Sequence, residues 1–233
     1  MFNSNIAMLV GRLGADAEIK TLPNGKVATM SLAVDQNFKN RAGKWQTTTH
    51  WFRVVTYLPW LIDNVIASEA TKGRPMFIHG SLRARSWEQE GKKYNSVEIE
   101  VDHTGGIVPV GADSTPLNQV MVTGRLGGHA DIKTLPGQDG GKMASFSLAA
   151  DRSFKDRAGE WQHVTDWLRV VTFQSSLIEK VLAKQATKGR LVVVQGVLRA
   201  REWGDKDGEV RTSIEIEVDG SGSIFPVLED KAA

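Results

Sequence analysis

The sequence predicts an all-β protein of two tandem five-stranded barrels, each with one short helix. Three observations carry that expectation. The chain of 233 residues is one unit written twice, each copy alternates apolar and polar residues between turn signals, and the copies share a single stretch with helical spacing.

The repeat is read directly. "VGRLGADAEIKTLP" (10–23) returns as "TGRLGGHADIKTLP" (123–136), "FKNRAGKWQ" (38–46) as "FKDRAGEWQ" (154–162), and "ATKGR" (70–74) again at 186–190. "LRARSW" (82–87) returns as "LRAREW" (198–203) and "VEIEVD" (97–102) as "IEIEVD" (214–219). Gly11 and Gly124 are 113 residues apart and Trp51 and Trp167 are 116 apart, the growth falling in the longer turn "PGQDGGK" of the second copy. A solenoid repeat is far shorter, so each copy is a whole domain. The expected division is a first domain over 1–108, a linker over 109–117 rich in Pro, Gly and small polar residues, a second domain over 118–227, and a short tail over 228–233.

Each element has its own signal. "NIAMLVGRL" opens the first copy as a strand, "LPNG" turns the chain by its Pro and Asn-Gly, and "KVATMSLAVD" follows as the second strand. "NRAG" marks a hairpin that leads into "TTTHWFRVVT". In "SSLIEKVLAKQATKG" Leu177, Ile178, Val181 and Leu182 recur at helical spacing, Ser176 with Glu179 has the form of a capping box, and Lys188 with Gly189 forms a stop. "RLVVVQGVLRAREW" and "TSIEIEV" complete the copy as strands four and five. Five strands with a helix between the third and fourth match the order and size of the OB-fold.

Composition bounds the chemistry. At 41% hydrophobic and 24% charged residues the chain is an ordinary globular protein, and no apolar run approaches the ~18 residues that span a bilayer. No secretory signal opens the chain, and the absence of cysteine rules out thiolate metal sites and cysteine nucleophiles and is compatible with the cytoplasm. The net charge of +2 does not announce a polyanion binder, so any such reading rests on where the basic residues lie. The five histidines show no metal-ligand spacing, and "GQDGGKM" lacks the Gly and Ser/Thr of a phosphate loop, so no catalytic residue, metal site or cofactor is expected. Glu98, Glu100, Glu215 and Glu217 alternate along a strand and are read as a solvated barrel face.

The aromatics say more. Phe38, Trp51, Tyr57 and Trp87 have counterparts Phe154, Trp167, Phe173 and Trp203, and each lies beside basic residues. Lys39 and Arg41 follow Phe38, Lys155 and Arg157 follow Phe154, Arg53 and Arg169 share a strand face with the Trp, and Arg83, Arg85, Arg199 and Arg201 precede Trp87 and Trp203. Flat rings interleaved with cations suit single-stranded nucleic acid, whose bases stack and whose phosphates need neutralising. Trp45 and Trp161, just after the "RAG" turn, either tip that hairpin or close it, and Trp60, which has Ser176 as its counterpart, reads as local packing.

With these residues in view the chain resembles bacterial single-stranded DNA-binding protein, SSB, over almost its whole length and twice over. The resemblance runs through "LVGRLGADAEIKTLPNGKVATMSLAV", "THWFRVVTY" and "HGSLRARSW", and again through "VTGRLGGHADIKTLP", "TDWLRVVTF" and "QGVLRAREW". It implies an OB-fold that binds single-stranded DNA without sequence preference in replication, recombination and repair, with no enzymatic activity. The implied stacking positions are Phe38, Trp51, Tyr57, Trp87, Phe154, Trp167, Phe173 and Trp203. The implied basic positions are Arg53, Lys72, Arg169 and Lys188, to which the residue pattern adds Arg83, Arg85, Arg199 and Arg201.

Two domains in one chain are similar to the arrangement of the Deinococcus–Thermus group, which implies a homodimer with four OB domains and a cytoplasmic, nucleoid-associated place. The sequence departs from the family where Pro59 and Ser175 stand in place of a basic residue and where Ser86 and Glu202 replace the cation before the last Trp. It ends "FPVLEDKAA", without a Gly/Pro/Gln-rich linker and acidic tip, so recruitment of replication and repair proteins through such a tip has no support in the sequence. The alternative reading is a duplicated OB-fold adaptor that binds proteins of the replication and repair machinery and has weak affinity for DNA.

Overall fold

The computed structural model describes residues 4–39, 42–89, 92–136, 141–156, 158–204 and 210–227, the side chains of 87, 89, 92–94, 203, 204, 210 and 211 excepted. Contacts divide the chain into two compact units that meet in sequence at Gln119 and Val120, with Ser4 and Asn5 grouping with the second. The first unit contains β1 (Asn5–Leu13), β2 (Glu18–Leu22), β3 (Gly25–Lys39), β4 (Trp45–Thr56), helix α1 (59–69), β5 (Pro75–Gln89), β6 (Lys92–Val101) and β7 (Gly106–Pro109). The second repeats them as β8 (Leu117–Leu126), β9 (Asp131–Thr134), β10 (Lys142–Lys155), β11 (Trp161–Thr172), α2 (175–185), β12 (Leu191–Gly204), β13 (Val210–Val218) and β14 (Ser223–Pro226).

Five strands close each barrel. β1 pairs antiparallel with β5 (Ala7↔Gly80 to Arg12↔Pro75) and, at its end, with β3 (Arg12↔Ala33, Leu13↔Leu32). β3 pairs with β4 along twelve positions, β4 runs parallel to β6 (Val54↔Ile99), and β6 returns to β5 (Leu82↔Ile99). The circuit β1–β3–β4–β6–β5–β1, with the helix between β4 and β5, is an OB-fold barrel. The second unit closes identically through β8, β10, β11, β13 and β12. Closure needs a close approach at Gly11, where a Cβ would lie 2.3 Å from the Ala33 carbonyl oxygen; Gly124 meets Ala149 in the same way at 2.5 Å.

Two short strands per unit exceed the five expected. β2 folds back on β3 across the Pro23–Asn24 turn, with Gly25 at φ 136°, and all five of its residues are exposed, so no apolar alternation marks it. β7 adds to the edge of β5 (Ile78↔Ile107). Beyond it the 110–116 segment is pinned by the Arg12 guanidinium, which donates to the Ala112 carbonyl at 2.7 Å.

Alternation builds the interior. Leu9, Leu32, Phe52, Val54, Ile78, Leu82, Ile99 and Val101 are buried in the first barrel, and Leu61, Ile62 and Ile66 cap them from α1. The buried Thr56 joins helix to barrel: its hydroxyl donates to the Val101 carbonyl at 2.8 Å and accepts the Leu58 N–H at 3.2 Å. Thr172 does the same to Val218 and Gln174. The capping box expected at Ser176 is not formed. The N-cap is Gln174, two residues earlier, which makes no side-chain cap, and the Glu179 carboxylate is taken by Lys142 Nζ at 2.7 Å. Gly189, at φ 81°, sits in the turn beyond the helix rather than at its C-terminus.

Thr56→Val and Thr172→Val keep shape but remove the hydroxyl that serves both strand and helix. Each is expected to cost about 1–3 kcal/mol, the penalty of a buried polar group left unpaired, read as a lower urea midpoint.

Candidate nucleic-acid interface

β4 has two distinct faces. Phe52, Val54 and Thr56 point into the barrel and are buried, while Trp51 and Arg53 stand on the outside with Tyr57, the residue just after the strand. Trp51 is 50% exposed and its counterpart Trp167 is 55% exposed. Val55, between Arg53 and Tyr57, is buried although it shares their side of the strand. Both Trp rings rest on glycine backbone: a Cβ on Gly14 would lie 2.4 Å from Trp51 Cζ3, and one on Gly127 2.5 Å from Trp167 Cζ3. Beside each ring lies an open groove, floored by Thr29 and Ser31 next to Arg53 in the first unit and by Ser145 and Ser147 next to Arg169 in the second.

The arginines do not stand free. β6 lies between β4 and β5, and its carboxylates meet arginines from both neighbours. Arg53 from β4 reaches Glu98 at 3.5 Å, and Arg85 from β5 bonds the other oxygen of the same carboxylate. Arg85 also donates to the Tyr57 hydroxyl at 3.3 Å. Burial works against its charge, but the bond to Glu98 and that carboxylate's charge outweigh it and raise the guanidinium's pKa. Arg83, on the same side of β5 as Arg85 but nearly buried, lies against Asp102 at 3.4 Å and Glu100 at 3.8 Å. In the second unit Arg169 reaches Glu215 at 3.4 Å, Arg201 forms an ion pair with the other oxygen of Glu215, and Arg199 pairs with Glu217 at 3.1 Å. Arg201 also lies over the Phe173 ring at 5.7 Å.

This corrects the reading of the β6 and β13 glutamates as a solvated face. Glu98 is 5% exposed and Glu215 3%, and Glu100 and Glu217 are half-buried. Alternation alone assigned them correctly to the outside of the barrel. It did not show that long arginine side chains from two flanking strands lie across them and exclude water.

The other expected residues spread over several elements. Phe38 pairs with Gln46 on the β3–β4 hairpin, on the face opposite Trp51, and is exposed; Phe154 occupies the same place with Arg152 stacked at 4.9 Å. Trp87 and Trp203 lie on β5 and β12, their side chains outside the described residues, as are Arg41 and Arg157. Lys72 and Lys188 are exposed in the turns before β5 and β12; the Lys72 N–H donates to the Asp16 carboxylate at 2.7 Å, and Asp16 lines the groove beside Trp51. Trp60, read from the sequence as local packing, is 69% exposed, and sequence reasoning left two further exposed aromatics out of the path, Trp45 at 69% and Trp161 at 61%. Lys39 lies over Trp45 at 5.2 Å and Lys155 over Trp161 at 5.4 Å. The missed signal was parity: Trp45 and Trp51 are an even number of residues apart on one strand, hence on one face.

Comparison with known proteins places this geometry. The model of the single-strand binding protein family matches residues 4–106 and 117–223. The chain belongs to the single-strand binding protein family. Its repeat is thus two family domains in one chain, each carrying the aromatic–arginine face described above. The wild-type single-stranded DNA binding protein from Thermus aquaticus is similar in fold, with a TM-score of 0.75 at 23% identity over 100% of this chain and 98% of that one. Its deletion mutant delta 228-252 R190A gives a TM-score of 0.76 at 23% identity over 99% and 97%. A chain from the Plasmodium falciparum SSB complex with ssDNA matches 49% of this chain with 98% of its own, at 35% identity and a TM-score of 0.45. The family is one of binding proteins rather than enzymes, and among the described residues no group of His, Asp or Glu is arranged to hold a metal ion.

Gly14→Ala with Gly127→Ala is expected to push both Trp rings off their backbone seats. Near-UV circular dichroism should lose tryptophan signal while the far-UV spectrum of the barrels is unchanged.

Proposed function

We propose that this protein binds single-stranded DNA without sequence preference and protects exposed strands in replication, recombination and repair. One observation carries the reading beside family membership: in both units exposed aromatic rings and arginines alternate on one outer barrel face. Bases stack on Trp51, Tyr57, Trp167 and Phe173, with Trp45 and Trp161 extending the platform along the hairpins. Phe38 and Phe154, on the other face of the hairpins, and Trp87 and Trp203 on β5 and β12 are further stacking positions of this reading. Phosphates meet Arg53, Arg85, Arg169 and Arg201, and also Lys72 and Lys188. Arg83 and Arg199, lying against carboxylates, hold the sheet rather than the ligand.

Every base offers a flat face, so such a surface reads no sequence. Stacking is worth about 1–3 kcal/mol per base, while a surface charge already neutralised by a neighbour adds less. Titration with oligo-dT should quench tryptophan fluorescence and give affinity that falls with salt, by about 0.7 in log–log slope per phosphate neutralised. Trp51→Ala with Trp167→Ala should weaken binding by about 1–3 kcal/mol per ring and leave the fold intact. No binding at low salt would sink the reading and favour the protein adaptor.

We also propose that the chain acts as a homodimer presenting four barrels, on exposed strands of the nucleoid. Sedimentation or light scattering should give twice the chain mass with and without a long oligonucleotide; a monomer in both states rejects it.

A further inference from the structure

The feature that DNA binding leaves unexplained is the acid beneath the arginines. A polyanion-binding face gains nothing from added negative charge, and a buried carboxylate is costly to desolvate. Glu98 and Glu215 are nonetheless buried at the centre of that face, at equivalent places in both units. Each touches two arginines that come from different strands: Arg53 from β4 and Arg85 from β5, Arg169 from β11 and Arg201 from β12. The two oxygens of each carboxylate are divided between the two guanidiniums. The four arginine side chains remain about half exposed, so their outer edges still face solvent.

Each arginine so held lies against an aromatic position of the path. Arg85 bonds the Tyr57 hydroxyl, Arg201 covers the Phe173 ring, and Arg53 and Arg169 border the grooves beside Trp51 and Trp167. An unrestrained arginine loses rotamer freedom when it meets a phosphate. One already held by a carboxylate has lost it on folding.

We propose that Glu98 and Glu215 are positioning residues for single-stranded DNA: each fixes a pair of arginines between the stacking rings and cancels one of their two charges. The proposal rests on the DNA-binding reading above. It makes the face selective, because the cations are aimed at phosphates spaced as stacked, splayed bases space them. It also limits non-specific attraction to any polyanion, because each carboxylate cancels one of the two charges it holds, and in the first unit Glu100 lies 3.8 Å from Arg85 as well.

Glu98→Gln with Glu215→Gln removes both negative charges at nearly constant shape. The freed arginines recruit about one more phosphate per unit, so the slope of log K against log salt steepens by about 0.7 per unit, about 1.4 in all. Duplex binding rises relative to oligo-dT binding. Glu98→Asp with Glu215→Asp keeps the charge and withdraws it by one methylene; its slope matches wild type, and its oligo-dT affinity falls by the same factor at every salt concentration. A structural role alone moves the melting temperature and neither the slope nor the duplex-to-single-strand ratio. Wild-type slope in the Gln pair overturns the proposal, and should that pair fail to fold, wild-type affinity in the Asp pair overturns it. Failure of the wild-type protein itself to bind oligo-dT overturns the functional reading, and this proposal with it.

Discussion

The first strand of each unit is hydrogen-bonded along both edges, to β5 or β12 on one side and to the bend of β3 or β10 on the other. That double pairing turns a five-strand sheet into a closed barrel, and it requires glycine where strand meets strand at Gly11 and Gly124. Closure gives every strand an inside and an outside. Without it, the alternation of "WFRVVTY" would describe a strand covered on both faces or on neither.

Once inside and outside exist, neighbouring strands decide what the outside can do. β6 and β13 run between the strand that carries the Trp and the strand that carries Arg85 or Arg201, so their carboxylates meet arginines from both directions. The exposed face is therefore aromatic with paired cations, rather than simply basic. In the first unit Arg53, Arg83 and Arg85 are matched by Glu98, Glu100 and Asp102. Burial opposes ionisation of Asp102, but the side-chain and backbone bonds of Thr104 and the charge of Arg83 outweigh it and hold the carboxyl below its ordinary range.

Much of this was legible in the sequence, because strand alternation and duplication are local signals. The five main strands, the helix between the third and fourth, and the outward side of Trp51, Arg53 and Tyr57 all follow from period and turn chemistry. What was not legible depended on partners remote in the chain. β2 has no apolar alternation, since it is held by hydrogen bonds to β3 alone. Ser176 and Glu179 have capping-box spacing, yet Lys142, far away in sequence, takes the carboxylate. The side of Trp45 was legible by parity with Trp51, but only the hairpin's extension beyond the barrel leaves its ring 69% exposed.

By itself the sequence determined that there are two equivalent domains, that each is a small β-barrel, and that aromatic rings with arginines lie on one strand face. Periodicity and repetition suffice for these, since both are written along a single strand. Only the tertiary structure decided which charges on that face are free and which are matched. Glu98 and Arg53 are far apart along the chain, and whether an acid on β6 is solvated or buried depends on which strands flank it. The barrel's strand order supplies that answer, by laying an arginine across the carboxylate from each side.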